Sequence, residues 1–389
     1  MKIVMAEHTH YESLYRVGCH HLADYFVRHG HDVLYLSGPM NPFNLRYFLT
    51  GNPSARELRY GLATWWRGGV RVRDRLCSYA PLTLLPIWRR GPFASEWVAT
   101  HTLDCLVPSL EHTLRRTGFE QPDVLLVSQL FFAGLLSRVP ARASVLRVTD
   151  DIEHFPTVPR SIRSLEERGV AAADAVVVTS SPLVEKMQRL GAARTVYVPN
   201  GVDFEYYQAP RPKPGELISI TGPIVVYIGA IDTWFDDQML RQAAIDIPTA
   251  TFVLIGAPRR ELGRLHGLPN VRVLGPRPYA DLPGYLQHST VGIIPFQVSA
   301  LIQSVSPLKL YEYMAAGLPV VSTRWRELEQ LSAPVHLANS AAAFVEAVRT
   351  AIAERGARRE EYRAYAKQQS WESRGQTVET LFADLLRAS

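Results

Sequence analysis

Short apolar, β-branched runs alternate with longer helical patterns along most of the chain, and this alternation limits the possible folds more than any other feature. The first series is KIVMAE (2–7), HDVLYLS (31–37), DVLLVSQ (123–129), SVLRVTD (144–150), DAVVVTS (174–180) and TVYVPNG (195–201). Helical segments fit between them, such as 18–30, closed by Gly30, and 160–173. A polar, proline-rich stretch, APRPKPGE (209–216), then interrupts the pattern as an extended linker would. The series restarts with PIVVYIGA (223–230), TFVLIGAP (251–258), VRVLGPRP (271–278), VGIIPF (291–296), PVVST (319–323) and PVHLAN (334–339).

Alternation of this kind builds parallel sheets covered by helices. The expected fold class is therefore α/β, with two Rossmann-like, doubly wound domains at 1–208 and 209–370. The tail from 340 to 389 reads as helical, with SWE (370–372) breaking its period, so its last part (371–389) is expected to cross back to the first domain. Open α/β sheets hold ligands beyond the carboxyl ends of their strands, where the strand order reverses. Two such domains facing across a cleft would carry their chemistry on strand-end loops.

At 389 residues the chain is long enough for two well-filled cores. Its three cysteines, Cys19, Cys77 and Cys105, show neither CxxC nor Cys/His spacing, which argues against a disulfide framework or a zinc site. MKIVMAEHTH runs straight into a strand-like segment without a leader pattern, and no apolar run has spanning length. The expectation is a cytoplasmic protein. Only five of the 42 basic residues are lysines, so each lysine stands out.

One of them, Lys309, lies in SPLKLYEYMAAGLPVVST (306–323). Pro307 suits a first helical position, Ser306 or Ser304 can cap, Gly317 suits a left-handed end, and Pro319 stops the helix. A largely buried helix with an open N-terminus is an anion site through its free N–H groups and its dipole. Lys309 adds a full charge for a diphosphate. Glu312, one turn on, can accept hydrogen bonds from ribose hydroxyls. Diphosphate plus diol describes a nucleoside diphosphate.

This segment resembles the nucleotide-sugar motif of GT-B-fold glycosyltransferases, especially group 1-like enzymes of bacterial polysaccharide assembly. VPNGVD (198–203), YIGAIDTWFD (227–236) and LPNVRVLGPRPYADLPGYLQHSTVGIIPF (268–296) follow the same family order. The resemblance implies that Ser306, Pro307, Leu308 and Lys309 receive the donor phosphates and Glu312 the ribose. It implies that Gly229 lets the backbone approach the diphosphate, and that the loop through Arg277, Pro278 and Tyr279 holds the base, largely through backbone groups. The donor, a uridine rather than a guanosine sugar nucleotide by analogy, would be a substrate, with no cofactor and no metal.

Many retaining enzymes of this fold carry a glutamate eight positions before the second one; here that position is Ser304. An inverting transfer needs a general base instead. SVLRVTDDIEHF (144–155) ends a strand in two aspartates and resembles the strand-end segment of inverting xanthan-type glucuronosyltransferases. Asp150 is the expected base, Asp151 the runner-up, and His154 an orienter. No Asp-x-Asp triplet offers a metal chelate. In EHTHYESLYRVGCHHL (7–22), His8, His10 and Arg16 are candidate acceptor contacts, and the irregular histidine spacing does not suit a metal.

Residues 56–90 hold eight arginines (56, 59, 67, 71, 73, 75, 89 and 90) with Trp65, Trp66 and Trp88 among them. That composition suits anionic lipid headgroups, and no nucleic-acid-binding motif accompanies it. The expected function is transfer of a sugar to a glycan or lipid-linked acceptor, on the inner leaflet if 56–90 touches membrane. The alternatives are a non-catalytic sugar-nucleotide-binding protein and a retaining GDP-mannose-type transferase. An NAD-dependent oxidoreductase is disfavoured, since no G-x-G-x-x-G follows the first strand of either series.

Overall fold

The computed structural model describes residues 1–13, 16–49, 55–88, 91–155, 158–159, 161–354 and 356–388. The chain divides into two compact units, Met1–Pro199 with Arg374–Ser389, and Asn200–Ser373.

The strands of the first unit are β1 (Lys2–Ala6), β2 (Asp32–Leu36), β3 (Val70–Arg73), β4 (Leu76–Tyr79), β5 (Leu82–Thr83), β6 (Leu106–Val107), β7 (Val124–Val127), β8 (Ala143–Val148), β9 (Ala175–Val178) and β10 (Thr195–Tyr197). Eight of them form one sheet in the order β10-β9-β8-β7-β1-β2-β4-β3, parallel except for β3 against β4. The strand order reverses between β1 and β7. Alternate residues face opposite sides: Val4, Leu34 and Leu125 enter one core, while Ile3, Met5, Val33 and Leu126 enter the other.

That second core is completed by the C-terminal helix, Trp371–Ala388, through Val378, Leu381 and Phe382. Glu379 accepts from Tyr25 Oη (2.7 Å) and pairs with His31 Nε2 (2.6 Å), and Arg194 pairs with Asp384 (3.2 Å). Gly375 lies flat on the Tyr25 ring, where a Cβ would stand 2.2 Å from it.

The second unit contains β11 (Ile224–Ile228), β12 (Thr251–Ile255), β13 (Val271–Gly275), β14 (Val291–Ile294), β15 (Val320–Thr323) and β16 (His336–Ala338). They form one parallel sheet, ordered β13-β12-β11-β14-β15-β16, which reverses between β11 and β14. Its core joins these strands to the helices Leu308–Ala315 and Ala341–Ala353 through Tyr311, Tyr313, Met314, Phe344 and Val348.

Two expectations change. The stretch 209–216 does not stand at the junction of the units, which falls after Pro199. It is strapped onto the second unit through its backbone: Ala209 O accepts from Gln287 Nε2 (2.8 Å), Arg211 N–H donates to Gln287 Oε1 (2.9 Å), and Arg211 O accepts from His288 Nε2 (3.0 Å). The arginine-rich stretch is a helix, Ala55–Arg67, followed by the edge pair β3 and β4. Val70 and Val72 are half-buried while Arg71 and Arg73 point to solvent, a charged edge of the kind that blocks further strand pairing.

Candidate functional site

In the second unit Gly229 directly follows β11, and Phe296 follows β14 across the reversal in strand order. Lys309 reaches this point. Its Nζ lies 4.9 Å from the centroid of Phe296 and 5.5 Å from that of Tyr227. Gly229 is at φ +150°, and a Cβ there would stand 3.0 Å from Lys309 Cε and 3.1 Å from Nζ. Glycine is thus required both for the backbone turn and for the passage of the lysine. Burial pulls the lysine pKa down to about 8, partly offset by the Glu312 charge. Burial conversely raises the Glu312 carboxyl, against the pull of Tyr207 and Lys309. Among the described residues no ion pair ties Lys309 to Glu312, so both remain open to a ligand.

The start of this helix differs from expectation. Pro307 is itself the cap residue rather than the first helical one, and no side chain caps the helix. Ser306 does not, because Asn200 holds it: the Asn200 N–H donates to Ser306 Oγ (3.2 Å) and Asn200 Nδ2 to the Ser306 carbonyl (2.8 Å). Ser304 ends the preceding short helix and is buried. The first-turn amides at Leu308 and Lys309 are therefore left without a capping group, which strengthens the case for an anion there. At the other end Gly317 takes φ +84° and Leu318 N–H closes onto Tyr313 O (3.0 Å), as a glycine-terminated helix does. Tyr313 ties the helix to the strand end by accepting from Ile228 N–H (2.7 Å), and its ring passes over Gly292, where a Cβ would stand 2.3 Å away.

The loop after β13 brings two of its three expected residues into internal contacts. The Arg277 guanidinium is turned onto Glu216 (2.8 Å), Tyr285 Oη (3.0 Å) and the Leu274 carbonyl (2.6 Å), so its side chain is not offered to a base. Tyr279 stacks on Tyr206 (5.1 Å, 7° between planes), and its carbonyl accepts from the Tyr206 hydroxyl (3.2 Å). Pro278 is exposed. Asn200 lies within the recognised VPNGVD motif but was given no role, and Tyr206 and Tyr207, just after it, were passed over.

In the first unit Asp150 follows β8 and is half-buried, accepting from Thr149 Oγ1 (2.9 Å). Burial raises its carboxyl, and Thr149 and Arg147 draw it back. Asp151 is differently employed. It takes Lys186 Nζ (2.8 Å) and His154 Nδ1 (3.0 Å), and Lys186 also pairs with Glu166 (2.7 Å). Burial would raise Asp151, but the Lys186 and His154 bonds and charges outweigh it and hold the carboxyl low. His154 thus orients Asp151, not Asp150.

The loop after β1 also sorts its candidates. His8 is exposed and within electrostatic range of Asp150. His10 is half-buried, its Nδ1 lacks a hydrogen bond, and burial lowers its pKa. Arg16 is engaged by Asp24, which Tyr11 (2.6 Å) and Arg73 also bind, so it is not the free acceptor contact expected. His20 is a core residue, accepting from Val17 N–H (3.1 Å) and facing His10 O (3.0 Å). The sequence reading passed over Glu7, a buried carboxylate at the reversal of the first sheet that accepts from Ser128 Oγ (2.9 Å). Among the described residues no group of three His, Cys, Asp or Glu side chains has the arrangement to hold a metal ion.

In the basic stretch Trp65 turns inward, donating to the Val107 carbonyl, while Trp66 is 80% exposed. Arg73 and Arg75 are paired with Asp24 and Asp32. Arg89 and Arg90 lie outside the described residues. Among the described residues no helix is long and apolar enough to cross a membrane.

Two parallel α/β units, the second with a cationic helix tip at its strand-order reversal, define the GT-B fold. Sucrose-phosphate synthase of Thermosynechococcus elongatus superimposes with a TM-score of 0.72 over 100% of both chains at 16% identity. Anabaena HepE in complex with UDP-glucose gives 0.66 over 99% of this chain and 100% of its own, also at 16% identity. Residues 222–354, within the second unit, match the family described as group 1 glycosyl transferases. A Bacillus subtilis protein, TuaH, described as a candidate teichuronic acid biosynthesis glycosyltransferase, is 32% identical over 182 residues. That similarity spans 44% of this chain and 46% of the relative, a little under half of each.

Proposed function

We propose that the protein is a glycosyltransferase that moves a sugar from a nucleoside diphosphate donor to a glycan or lipid-linked acceptor. One observation carries this reading: Lys309 lies over Gly229 beside an uncapped helix start, at the reversal of a parallel sheet. Lys309 and the first-turn amides bind the diphosphate and stabilise it as it leaves. Glu312 accepts the ribose hydroxyls, and backbone groups of 275–279 hold the base. A uridine donor is favoured because HepE, of the same fold, was solved with UDP-glucose.

In the chemical step the acceptor oxygen forms a bond to the anomeric carbon while the bond from that carbon to the diphosphate breaks. The acceptor proton passes to Asp150, whose raised carboxyl suits a base. Attack from the face opposite the diphosphate inverts the anomeric centre, and Ser304 in place of a glutamate favours that course. Incubation with a panel of UDP- and GDP-sugars tests the reading through release of the nucleoside diphosphate and the anomeric configuration of the product. Release with inversion is expected. Absence of release with every donor and acceptor overturns the enzymatic reading, and retention overturns the role of Asp150.

We also propose that exposed aromatic and basic side chains of the first unit contact anionic lipid. Phe43, Trp66 and Trp97 are 49%, 80% and 62% exposed, with exposed arginines at 46, 56 and 59. Arg46 lies 5.0 Å from the Trp88 centroid and Arg59 5.7 Å from that of Phe48. Aromatic side chains with basic neighbours insert at the headgroup boundary of acidic bilayers. Flotation with anionic but not neutral liposomes, lost in Trp66→Ala with Trp97→Ala, is the expected result; equal flotation in all cases removes the idea.

A further inference from the structure

The start of the Leu308–Ala315 helix breaks a local rule. Serine followed by proline ordinarily opens a helix: serine takes the cap position, proline the first helical one, and the serine hydroxyl accepts from the amide of the second or third helical residue. In SPLK those two residues are Leu308 and Lys309. Pro307 already has φ −81°, and only its ψ of 112° keeps it outside the helix. Asn200 occupies both groups that would draw it in. Its Nδ2 donates to the Ser306 carbonyl (2.8 Å), which as a cap carbonyl would accept from Leu310 N–H. Its backbone N–H donates to Ser306 Oγ (3.2 Å), the oxygen that would cap. Leu310 N–H bonds Pro307 O instead (3.2 Å). Ser306 is 5% exposed, so these bonds form away from water.

The body of the helix has anchors of its own. The Tyr313 hydroxyl accepts from Ile228 N–H (2.7 Å), the Tyr313 ring covers Gly292, and just upstream Trp325 Nε1 donates to the Val305 carbonyl (3.0 Å). Asn200 therefore acts on how the helix begins, not on where it lies. We infer that Asn200, in the VPNGVD segment, is a positioning residue for the nucleotide donor: by engaging both polar groups of Ser306 it keeps the serine from capping, and so leaves the Leu308 and Lys309 amides to the diphosphate. The inference rests on the reading of Lys309 and these amides as the diphosphate site. Local preference gives way most often where function requires it. Here it gives way beside Lys309, to a contact from 106 positions away.

The test is calorimetric titration of UDP, or of GDP if it binds tighter, into wild type, Asn200→Ala, Ser306→Ala, the double variant and Lys309→Ala. Asn200→Ala frees the Ser306 carbonyl to join the helix, Pro307 becomes its first residue, and the serine hydroxyl turns onto the Leu308 or Lys309 amide. The nucleotide must then displace that hydroxyl, and a cap of ordinary strength lowers its affinity roughly fivefold. Ser306→Ala in that background removes the competitor, so the double variant is expected to bind about fivefold more tightly than Asn200→Ala. The same substitution in wild type, where the hydroxyl is already engaged, brings no such gain. If Asn200→Ala folds poorly, Asn200→Asp keeps the side-chain volume without the donor, and the comparison with and without Ser306 holds its added charge constant. A purely structural role for Asn200 would leave the double variant as weak as the single one or weaker. That result, wild-type affinity in Asn200→Ala, or an equal gain from Ser306→Ala in both backgrounds overturns the inference while Lys309→Ala still weakens binding. Should Lys309→Ala bind as tightly as wild type, the diphosphate reading itself fails and the role of Asn200 falls with it.

Discussion

The two units build the same kind of sheet and pair off most of the charges near their strand ends, Arg277 with Glu216 and Arg324 with Glu329 in the second, but the second leaves Lys309 and Glu312 outside such pairs. In the second, Lys309 and Glu312 are half-buried with no ion pair between them, and the helix beneath them has no cap. In the first, most strand-end charges neutralise one another: Asp151 with Lys186 and His154, Lys186 with Glu166, Arg16 with Asp24. Half-burying an unpaired charge is costly unless a ligand completes it. The contrast shows that ionisable residues at a strand end are not evidence of chemistry in themselves; what marks a site is a charge the fold leaves uncompleted. By that measure Asp150 differs from its neighbour Asp151, though the two are adjacent in sequence.

Asp150→Asn is expected to break the comparison most severely. Loss of a general base should lower kcat about 10²- to 10⁴-fold, with donor affinity within about twofold of wild type. Asp151→Asn should leave most turnover, so equal losses in the two variants would contradict the distinction drawn here. Lys186→Met comes next and reads out in stability. Removing one partner strands Asp151 and Glu166, with side chains 13% and 2% exposed, and should cost about 3–5 kcal/mol in denaturant unfolding. Gly229→Ala is smaller: with a Cβ 3.0 Å from Lys309 Cε, it should displace the lysine and weaken UDP about tenfold with little loss of fold. The mildest effect is on pH. Lys309, drawn down to about 8, is charged below that value, so UDP affinity should hold through neutrality and decline as pH rises past 8. A flat profile to pH 9.5 would mean that the lysine charge is not used.

Much of this was legible in the sequence because it is local. All twelve strands read from apolar runs exist: nine are buried along nearly their whole length, where a strand buried on both faces is continuously apolar, while β10, β13 and β16 are only partly buried. The Gly317 stop was legible because it too is local. The edge pair β3 and β4 was missed because VRVRDRLCSY alternates valine with arginine, and a solvent-facing edge carries no apolar run. The capping role given to Ser306 failed because Asn200, 106 positions away, uses its hydroxyl. Lys186 and Asp151, 35 positions apart, were invisible as a pair. Local pattern reveals elements and turns; which charges remain unpaired is decided by contacts distant in sequence.

The central claim is that the amine of Lys309 and the bare helix start behind it grip a nucleoside diphosphate, and calorimetry tests it most directly. UDP titrated into wild type and Lys309→Ala at pH 7 should bind the first and bind the second at least about tenfold more weakly, a difference of about 1.4 kcal/mol or more. Equal affinity in the two proteins, or no heat with either UDP or GDP, would contradict it.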